Sequence, residues 1–356
     1  MEIKISVIVP IYNVEQYVKR CLESVIAQAN ADVNIECVIV NDCTKDNSMT
    51  IVNQLISDYK GPIDFKVISH DKNLGLSATR NTGVINSMGN YIFFMDSDDY
   101  LLPNSFLYFV EYLKMHPNVD MIIGNVNACK GGDLLIRNID KPLLIDDCNV
   151  FFRKMLHHQI YLYAWNKLIR RNVLMDYSIH FEEGILFEDQ CWTYELFSHL
   201  SSILILPKVT YVYENNPFSI VNTAFTPERG ELVLKSYTIS INKMLDNPPC
   251  PERYKLNMTV DYLLFMMNFL MNGVDVHSRC PISDETLTNF RKVKRRIVCR
   301  SLSYGRLLLS CFFLLLFSPF CYIQKLRIFR CHYYDIESVV NTVCHLMDFL
   351  HRKNRI

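Results

Sequence analysis

Three carboxylates, Asp96, Asp98 and Asp99, follow directly on Tyr91-Ile-Phe-Phe-Met95, an apolar run of strand length. Ligands of open α/β sheets bind beyond the carboxyl ends of the strands. Acidic side chains at that place are therefore set to hold a hard divalent cation such as Mg²⁺ or Mn²⁺, with phosphate completing its shell. For an isolated Asp-x-Asp the plainer explanation is a turn that caps the next helix. A second acidic group lies in Phe181-Glu-Glu-Gly-Ile-Leu-Phe-Glu-Asp-Gln190, four carboxylates within eight residues among apolar positions. Burying them is costly without a purpose, and the alternative is a solvated acidic turn leading into a helix from Trp192 to Leu200. Asp42 comes straight off another apolar run, Ile35 to Val40, and is placed to accept hydrogen bonds from a nucleobase or sugar edge in the same crevice. Between these groups, Gly75 and Gly83 permit close backbone approach, and Lys72 and Arg80 supply positive charge.

These residues need an alternating scaffold to bring them together, and the hydrophobic pattern supplies one. Ile5 to Asn13 is a β-branched run suited to a central parallel strand, Val14 to Gln28 has helical spacing, and Ile35 to Val40 is a second buried strand, which makes a βαβ unit. A helix from Met49 to Tyr59 follows, with Asp46 and Ser48 as N-cap candidates, and then a strand from Ile63 to Ser69. Further on, the pattern predicts a helix from Pro103 to His116 and a strand from Asp120 to Gly124, with Gly131-Gly132 as a turn. Helices are expected over Glu231 to Leu245 and Tyr254 to Val274. His157 and His158 are neighbours on a helical stretch and face different sides, which reads as packing rather than metal ligation.

With 356 residues, half of them apolar, the chain can bury a substantial core. Acidic and basic residues balance at 37 each, but residues 291–356 carry 13 Lys/Arg against three Asp/Glu, a basic anchor on an acidic body. The 13 cysteines form no C-x-x-C pair and read as reduced, buried thiols of a cytosolic protein. No secretory signal is expected at the N-terminus, and no nucleic-acid partner is expected either.

Four blocks carry a resemblance: Ser6-Val-Ile-Val-Pro-Ile-Tyr-Asn13, Val40-Asn-Asp-Cys-Thr-Lys-Asp-Asn-Ser48, Asn73-Leu-Gly-Leu-Ser-Ala-Thr-Arg-Asn81 and Met95-Asp-Ser-Asp-Asp99. Taken in this order, they resemble glycosyltransferase family 2, inverting enzymes that use nucleotide sugars. The resemblance covers roughly residues 3 to 222. It implies a GT-A fold, an α/β Rossmann-like architecture with a mostly parallel central sheet flanked by helices, here followed by a C-terminal α-helical extension. By the same resemblance Pro10, Tyr12 and Asp42 would contact the base, and Arg80 and Asp96 the ribose and diphosphate region. Asn73, Gly75 and Ser97 would belong to the same donor site. Asp98, with Asp96 and Asp99, would hold Mg²⁺ or Mn²⁺. Asp189 would act as catalytic base, with Glu188 as the second candidate. Trp165 and Lys167 match a Trp-x-Lys pattern; Trp165 would form an acceptor wall or pack in the core. Cys43 stands where many members have Gly, and Thr79 where many have Ala.

The implied organisation is a catalytic domain over 1–222, with a nucleotide-sugar half to about residue 100 and an acceptor half beyond it. A helical extension over 223–290 and a basic, apolar tail over 291–356 follow. Within the tail, 307–323 is a run of 17 uncharged residues interrupted by Pro319, short of the ~20 needed to span a bilayer. It reads as an interfacial or re-entrant helix on an anionic membrane, or as a buried helix, and the former implies a peripheral location at the inner face of the cell membrane. The expected activity is transfer of one sugar from a nucleoside-diphosphate sugar, with UDP the expected nucleotide, to a glycan or lipid-linked acceptor. A nucleotidyltransferase would carry a Gly-rich basic loop where Pro10-Ile-Tyr-Asn13 stands. A degenerate sugar-binding or membrane scaffold would have no need of both the Asp cluster and Glu188-Asp189. A dinucleotide dehydrogenase lacks its G-x-G-x-x-G.

Overall fold

A computed structural model of the chain describes residues 3–128, 133–134, 139–147, 160–214, 226–247 and 281–303, with the isolated positions Ile136, Val150, Lys154, Asn216, Pro217 and Ser219. The chain divides into two compact units, 1–293 and 294–356, the second described only as far as residue 303. His157, His158, the expected helix Tyr254 to Val274 and the apolar run 307–323 lie outside the described residues. Among the described residues no helix is long and apolar enough to cross a membrane.

The first unit is built on one ten-stranded sheet. Its opening elements are β1 (Lys4–Ile11), α1 (Val18–Ile26), β2 (Asn34–Asn41), α2 (Ser48–Asp58), β3 (Asp64–Ser69), α3 (Leu76–Ile85) and β4 (Tyr91–Phe94). There follow β5 (Tyr100–Leu101), α4 (Ser105–Met115), β6 (Met121–Ala128), β7 (Asp133–Leu134), β8 (Leu143–Ile145), β9 (Lys167–Arg170), α5 (Arg171–Asp176), α6 (Glu188–His199), β10 (Ile203–Tyr213), α7 (Pro227–Asp246) and α8 (Asp284–Ser303), whose residues from 294 on belong to the second unit.

The strand order is β3-β2-β1-β4-β9-β6-β10-β5, with β7 on β6 and β8 on β10. β1 pairs in parallel with both β2 and β4, and β2 with β3. β9 runs antiparallel to both β4 and β6, so β6, and β10 parallel to it, point the same way as the first four strands. Six strands, β1, β2, β3, β4, β6 and β10, therefore end along one edge, and β9 begins there. That edge is where ligands of such sheets bind. The reason for the parallel half is visible in β1 and β2: Ile5, Val7, Ile8, Val9 and Ile11, and Cys37 to Val40, are inaccessible to solvent, as a strand covered on both faces requires. α3 lies close against β1 because Gly83 lacks a side chain; a Cβ there would stand 2.3 Å from Ile8 Cγ2.

Several boundaries differ from the sequence pattern. Residues 14–17 form a turn rather than the start of α1, since the Val14 amide donates to Ser48 Oγ (3.0 Å) and the Glu15 amide to Asp46 Oδ2 (2.9 Å). Asp46 and Ser48 bind the loop after β1 to the loop after β2; Asp46 Oδ1 also accepts the amide of Ser48, the first residue of α2 (3.1 Å), whereas Ser48, being inside the helix, is not its N-cap. α6 starts at Glu188, not Trp192. Of the described cysteines, Cys21, Cys37 and Cys191 are buried thiols as expected, whereas Cys43 is half-buried and Cys299 exposed.

Cys43 has φ 57°, in the left-handed region, directly after Asp42. A Cβ in that conformation costs about 1–2 kcal/mol, which explains why glycine suits the position. Cys43→Gly is therefore expected to raise stability by about 0.5–1 kcal/mol once the extra entropy of the unfolded glycine is subtracted. Cys43→Val is expected to lower it. Chemical denaturation midpoints of the two variants check this; equal loss in both would refute it.

Candidate functional site

At the end of β4 the chain turns through Asp96, Ser97, Asp98 and Asp99, and one carboxylate oxygen from each of the three aspartates lies within 4.8 Å of the others. β10 and the residues after it hold this turn. Tyr211 Oη donates to Asp99 Oδ2 (2.7 Å), the Glu214 amide donates to Asp99 Oδ1 (2.8 Å), and Asn216 Nδ2 donates to Asp98 Oδ2 (3.0 Å). Burial, and then the charge of Asp96, push the Asp98 carboxyl above its ordinary range. Asp99 is pushed well above, by burial and then by Asp98 and Asp96. Crowded carboxylates that repel one another in a half-dry site are the donor set a hard divalent cation stabilises. Asp96 and Asp98 are the half-buried members that would hold it. Asp99, expected as a third ligand, is fully buried with both oxygens engaged, so its first task is to fasten the turn to β10.

The second acidic group is brought to the same edge by α6. Gly184 (φ 72°) and Phe187 (φ 59°) turn the chain sharply so that Glu188 and Asp189 fall in the first helical turn, where the helix N-terminus favours negative charge. The strain at Phe187 is offset by its ring stacking on Tyr237 (5.9 Å, 12°).

Arg80 of α3 joins the two groups. Its guanidinium, 1 % exposed, donates from Nη2 to Asp96 Oδ1 and from Nη1 to Glu188 Oε1 and Asp189 Oδ1, each at 2.8 Å, and lies over the Phe181 ring at 5.1 Å. Arg80 was expected to meet the donor diphosphate directly. Both of its terminal nitrogens are engaged by carboxylates, and they hold Asp96, Glu188 and Asp189 in one cluster. Burial raises the Glu188 carboxyl to about 7, with Asp189 adding to the rise and Arg80 opposing it. Asp189 is also raised, by burial, against the pull of Arg80, Lys167 and the Ala164 amide. A carboxylate raised in this way is a better proton acceptor near neutral pH. The Asp189 side chain is the more open of the two, 16 % against 9 %.

The remaining expected residues divide between the crevice and its foundations. Tyr12, 44 % exposed, and Asn73 are open at the ends of their segments. Pro10 is buried within β1, and Ser97 is buried in the acidic turn. Asp42 is buried, and it accepts from the Leu74 and Gly75 amides (both 2.8 Å) while His70 Nδ1 lies 2.8 Å from Oδ1. Its carboxylate holds the 70–75 loop at the end of β2. Gly75 is required by its φ of 90°, with open space around it, not by close approach. Trp165, 2 % exposed, is a core residue stacked on Tyr211 (4.9 Å, 1°), so it is no open wall. Lys167 is fully buried, its Nζ donating to the Tyr163 carbonyl and lying 4.1 Å from the Tyr161 ring centroid. Burial pushes it down to about 7, and Asp189 opposes the shift. Neither Trp165 nor Lys167 reaches the crevice surface.

Sequence reasoning missed Asn166 and Tyr163. Asn166 (φ 55°) is buried, donating to the Gly124 and Asn125 carbonyls and accepting from Thr210 Oγ1, and so pins the start of β9 to β6 and β10. Tyr163 is the exposed member of Tyr161-Leu-Tyr-Ala-Trp165, an alternation that would have placed the three rings on one face.

The Asp96-Asp98-Asp99 group and the Glu188-Asp189 pair, joined through Arg80, lie together at the carboxyl ends of a largely co-directional sheet, an arrangement suited to an enzyme of group transfer. The family model for glycosyl transferase family 2 matches residues 6–178. The uncharacterized glycosyltransferase EpsJ of Bacillus subtilis (strain 168) is 30% identical over 249 residues, covering 67% of this chain and 68% of that protein. The poly(ribitol-phosphate) beta-N-acetylglucosaminyltransferase TarP of Staphylococcus aureus (strain N315) is 30% identical over 223 residues, 62% of this chain and 65% of its own length. The crystal structure of S. aureus TarS 1-349 in complex with UDP superposes with a TM-score of 0.65 at 20% identity, over 93% of each chain, a likeness of fold. The chain belongs to glycosyl transferase family 2 and is a glycosyltransferase.

Proposed function

We propose that the chain moves one sugar from a UDP-linked donor to a hydroxyl group of a glycan or lipid-linked acceptor, inverting the configuration at the anomeric carbon. The observation that carries this reading is the Arg80 cluster, which joins the carboxylate that would face the donor, Asp96, to the carboxylates that would face the acceptor. Asp189 takes the proton of the acceptor hydroxyl as its oxygen bonds to the anomeric carbon, and the bond from that carbon to the diphosphate breaks on the opposite face, releasing UDP. Asp96 and Asp98 would hold Mg²⁺ or Mn²⁺, which, when bound, offsets negative charge on the departing diphosphate. Arg80 keeps Asp189 oriented, and Glu188 shares that load. The similarity to TarP, named for a poly(ribitol-phosphate) acceptor, and to TarS, crystallised with UDP, supports a UDP-linked donor and a role in surface-polymer assembly.

The test is a panel of UDP-, GDP- and dTDP-sugars incubated with the purified chain, reading released nucleoside diphosphate with Mg²⁺, Mn²⁺ or chelator. Release from a UDP-sugar that chelator removes is the expected result. Preferential release from a GDP- or dTDP-sugar would overturn the donor assignment.

A further inference from the structure

Tyr163 combines two properties that seldom coincide. It is 47 % exposed, yet its ring is held flat against the buried Trp165, centroids 4.9 Å apart and planes at 10°. Trp165 stacks in turn on Tyr211 at 4.9 Å and 1°, and Tyr213 adds a further ring at 5.7 Å and 17°. Two alternating runs, Tyr161-Leu-Tyr-Ala-Trp165 and Tyr211-Val-Tyr213, thus interleave into one aromatic stack whose outer face is Tyr163. The backbone is fixed as firmly as the ring: buried Lys167 donates to the Tyr163 carbonyl, and the next residue, Ala164, gives its amide to Asp189. The same short segment therefore sets both the exposed ring and the catalytic carboxylate.

An exposed, rigid aromatic face beside a proton acceptor suits the apolar C–H face of a pyranose, whose weakly positive hydrogens meet the negative face of the ring while its hydroxyls project at the edge. Charge decides against a polyol phosphate here. On this side of the crevice Asp189, Glu188 and Asp96 would repel a phosphate, Arg80 and Lys167 are both buried and bonded to other groups, and Arg20, at the acidic turn, is paired with Glu214. Resting on the proposed transfer reaction, we propose that Tyr163 is the platform of the acceptor subsite, stacking a neutral pyranose so that one of its hydroxyls meets Asp189. The acceptor terminus is accordingly a sugar ring and not an acyclic polyol phosphate.

The experiment is saturation-transfer NMR on the full chain with UDP and Mn²⁺-free Mg²⁺ buffer, using methyl glucopyranosides, methyl N-acetylglucosaminides and ribitol 5-phosphate as probes. Transfer to ring protons of a pyranoside is expected, with an affinity reduced about tenfold in Tyr163→Ala and kept in Tyr163→Phe, the scale of one aromatic contact. Undiminished pyranoside binding in Tyr163→Ala overturns the proposal, as does wild-type binding of ribitol 5-phosphate in preference to every pyranoside. The wild-type comparison of probes holds even if the alanine variant does not fold. Release of UDP from a donor without pyranoside binding would sink the platform alone; pyranoside binding without cleavage of any donor would sink the transfer reaction and leave the platform standing.

Discussion

Asp189→Asn is expected to lower the rate of sugar transfer by roughly 10²–10⁴-fold, the usual contribution of a general base, with little change in donor binding. Glu188→Gln is expected to keep most of the rate. Both residues bond to the same Arg80 nitrogen at the same distance, so the difference lies in access: Asp189 has the more open side chain. The pH profile should follow. Burial raises the Asp189 carboxyl, and a base must be unprotonated to act, so activity should rise with pH along an acidic limb lying above the ordinary aspartate value of about 3.9. Transfer rates of both variants with a donor taken from the nucleotide-sugar panel measure this. Equal losses in the two would show that the carboxylates act as a unit; a larger loss in Glu188→Gln would reverse the assignment.

Arg80→Met is expected to produce the largest loss of stability of any single change at the site, about 3–5 kcal/mol at pH 8 in chelated protein, because three carboxylates lose their common counter-charge. Methionine fills the stem volume, so the loss reports charge rather than a cavity. The sign with pH follows from the carboxyls. Glu188 already sits above its unfolded value, at about 7, and Arg80 is what restrains it. In the variant Glu188 and Asp189 are raised further, so the folded state holds more protons than the unfolded one. A carboxyl raised on folding contributes most at low pH and its contribution is lost as pH rises through the folded value. The penalty should therefore be smaller at pH 5 than at pH 8. Denaturant midpoints at the two pH values decide it: a loss independent of pH would mean that Arg80 serves packing against Phe181 and not the acids.

How much of this could be read from the chain itself depended on whether a signal was local. β1, β2 and β4 are runs of consecutive apolar residues, and a strand buried on both faces has no other way to look. The Asp cluster was legible because it follows β4 without a break. Arg80 carried no such signal: its partners Glu188 and Asp189 are 108 and 109 residues away, and only the fold makes it a bridge instead of a free cation. β9 was hidden because four residues bounded by Lys167 and Arg170 do not resemble a central strand, yet it lies between β4 and β6 and carries the Tyr163 segment to the site. The early start of α6 was obscured because two adjacent acids after a left-handed Phe187 look like a loop. Burial of Trp165 and Lys167 followed from a stack assembled from two distant aromatic runs, which neither run announces alone.

The most direct measurement at this edge is release of UDP from the cognate UDP-sugar as a function of Mn²⁺ concentration, for the wild type and Asp98→Asn. A saturable rise with metal in the wild type, and a rate in Asp98→Asn that stays near the chelated baseline at every concentration, is the predicted result. Metal-independent release of equal rate in both proteins would contradict the assignment of Asp96 and Asp98 to a cation and of this edge to the donor diphosphate.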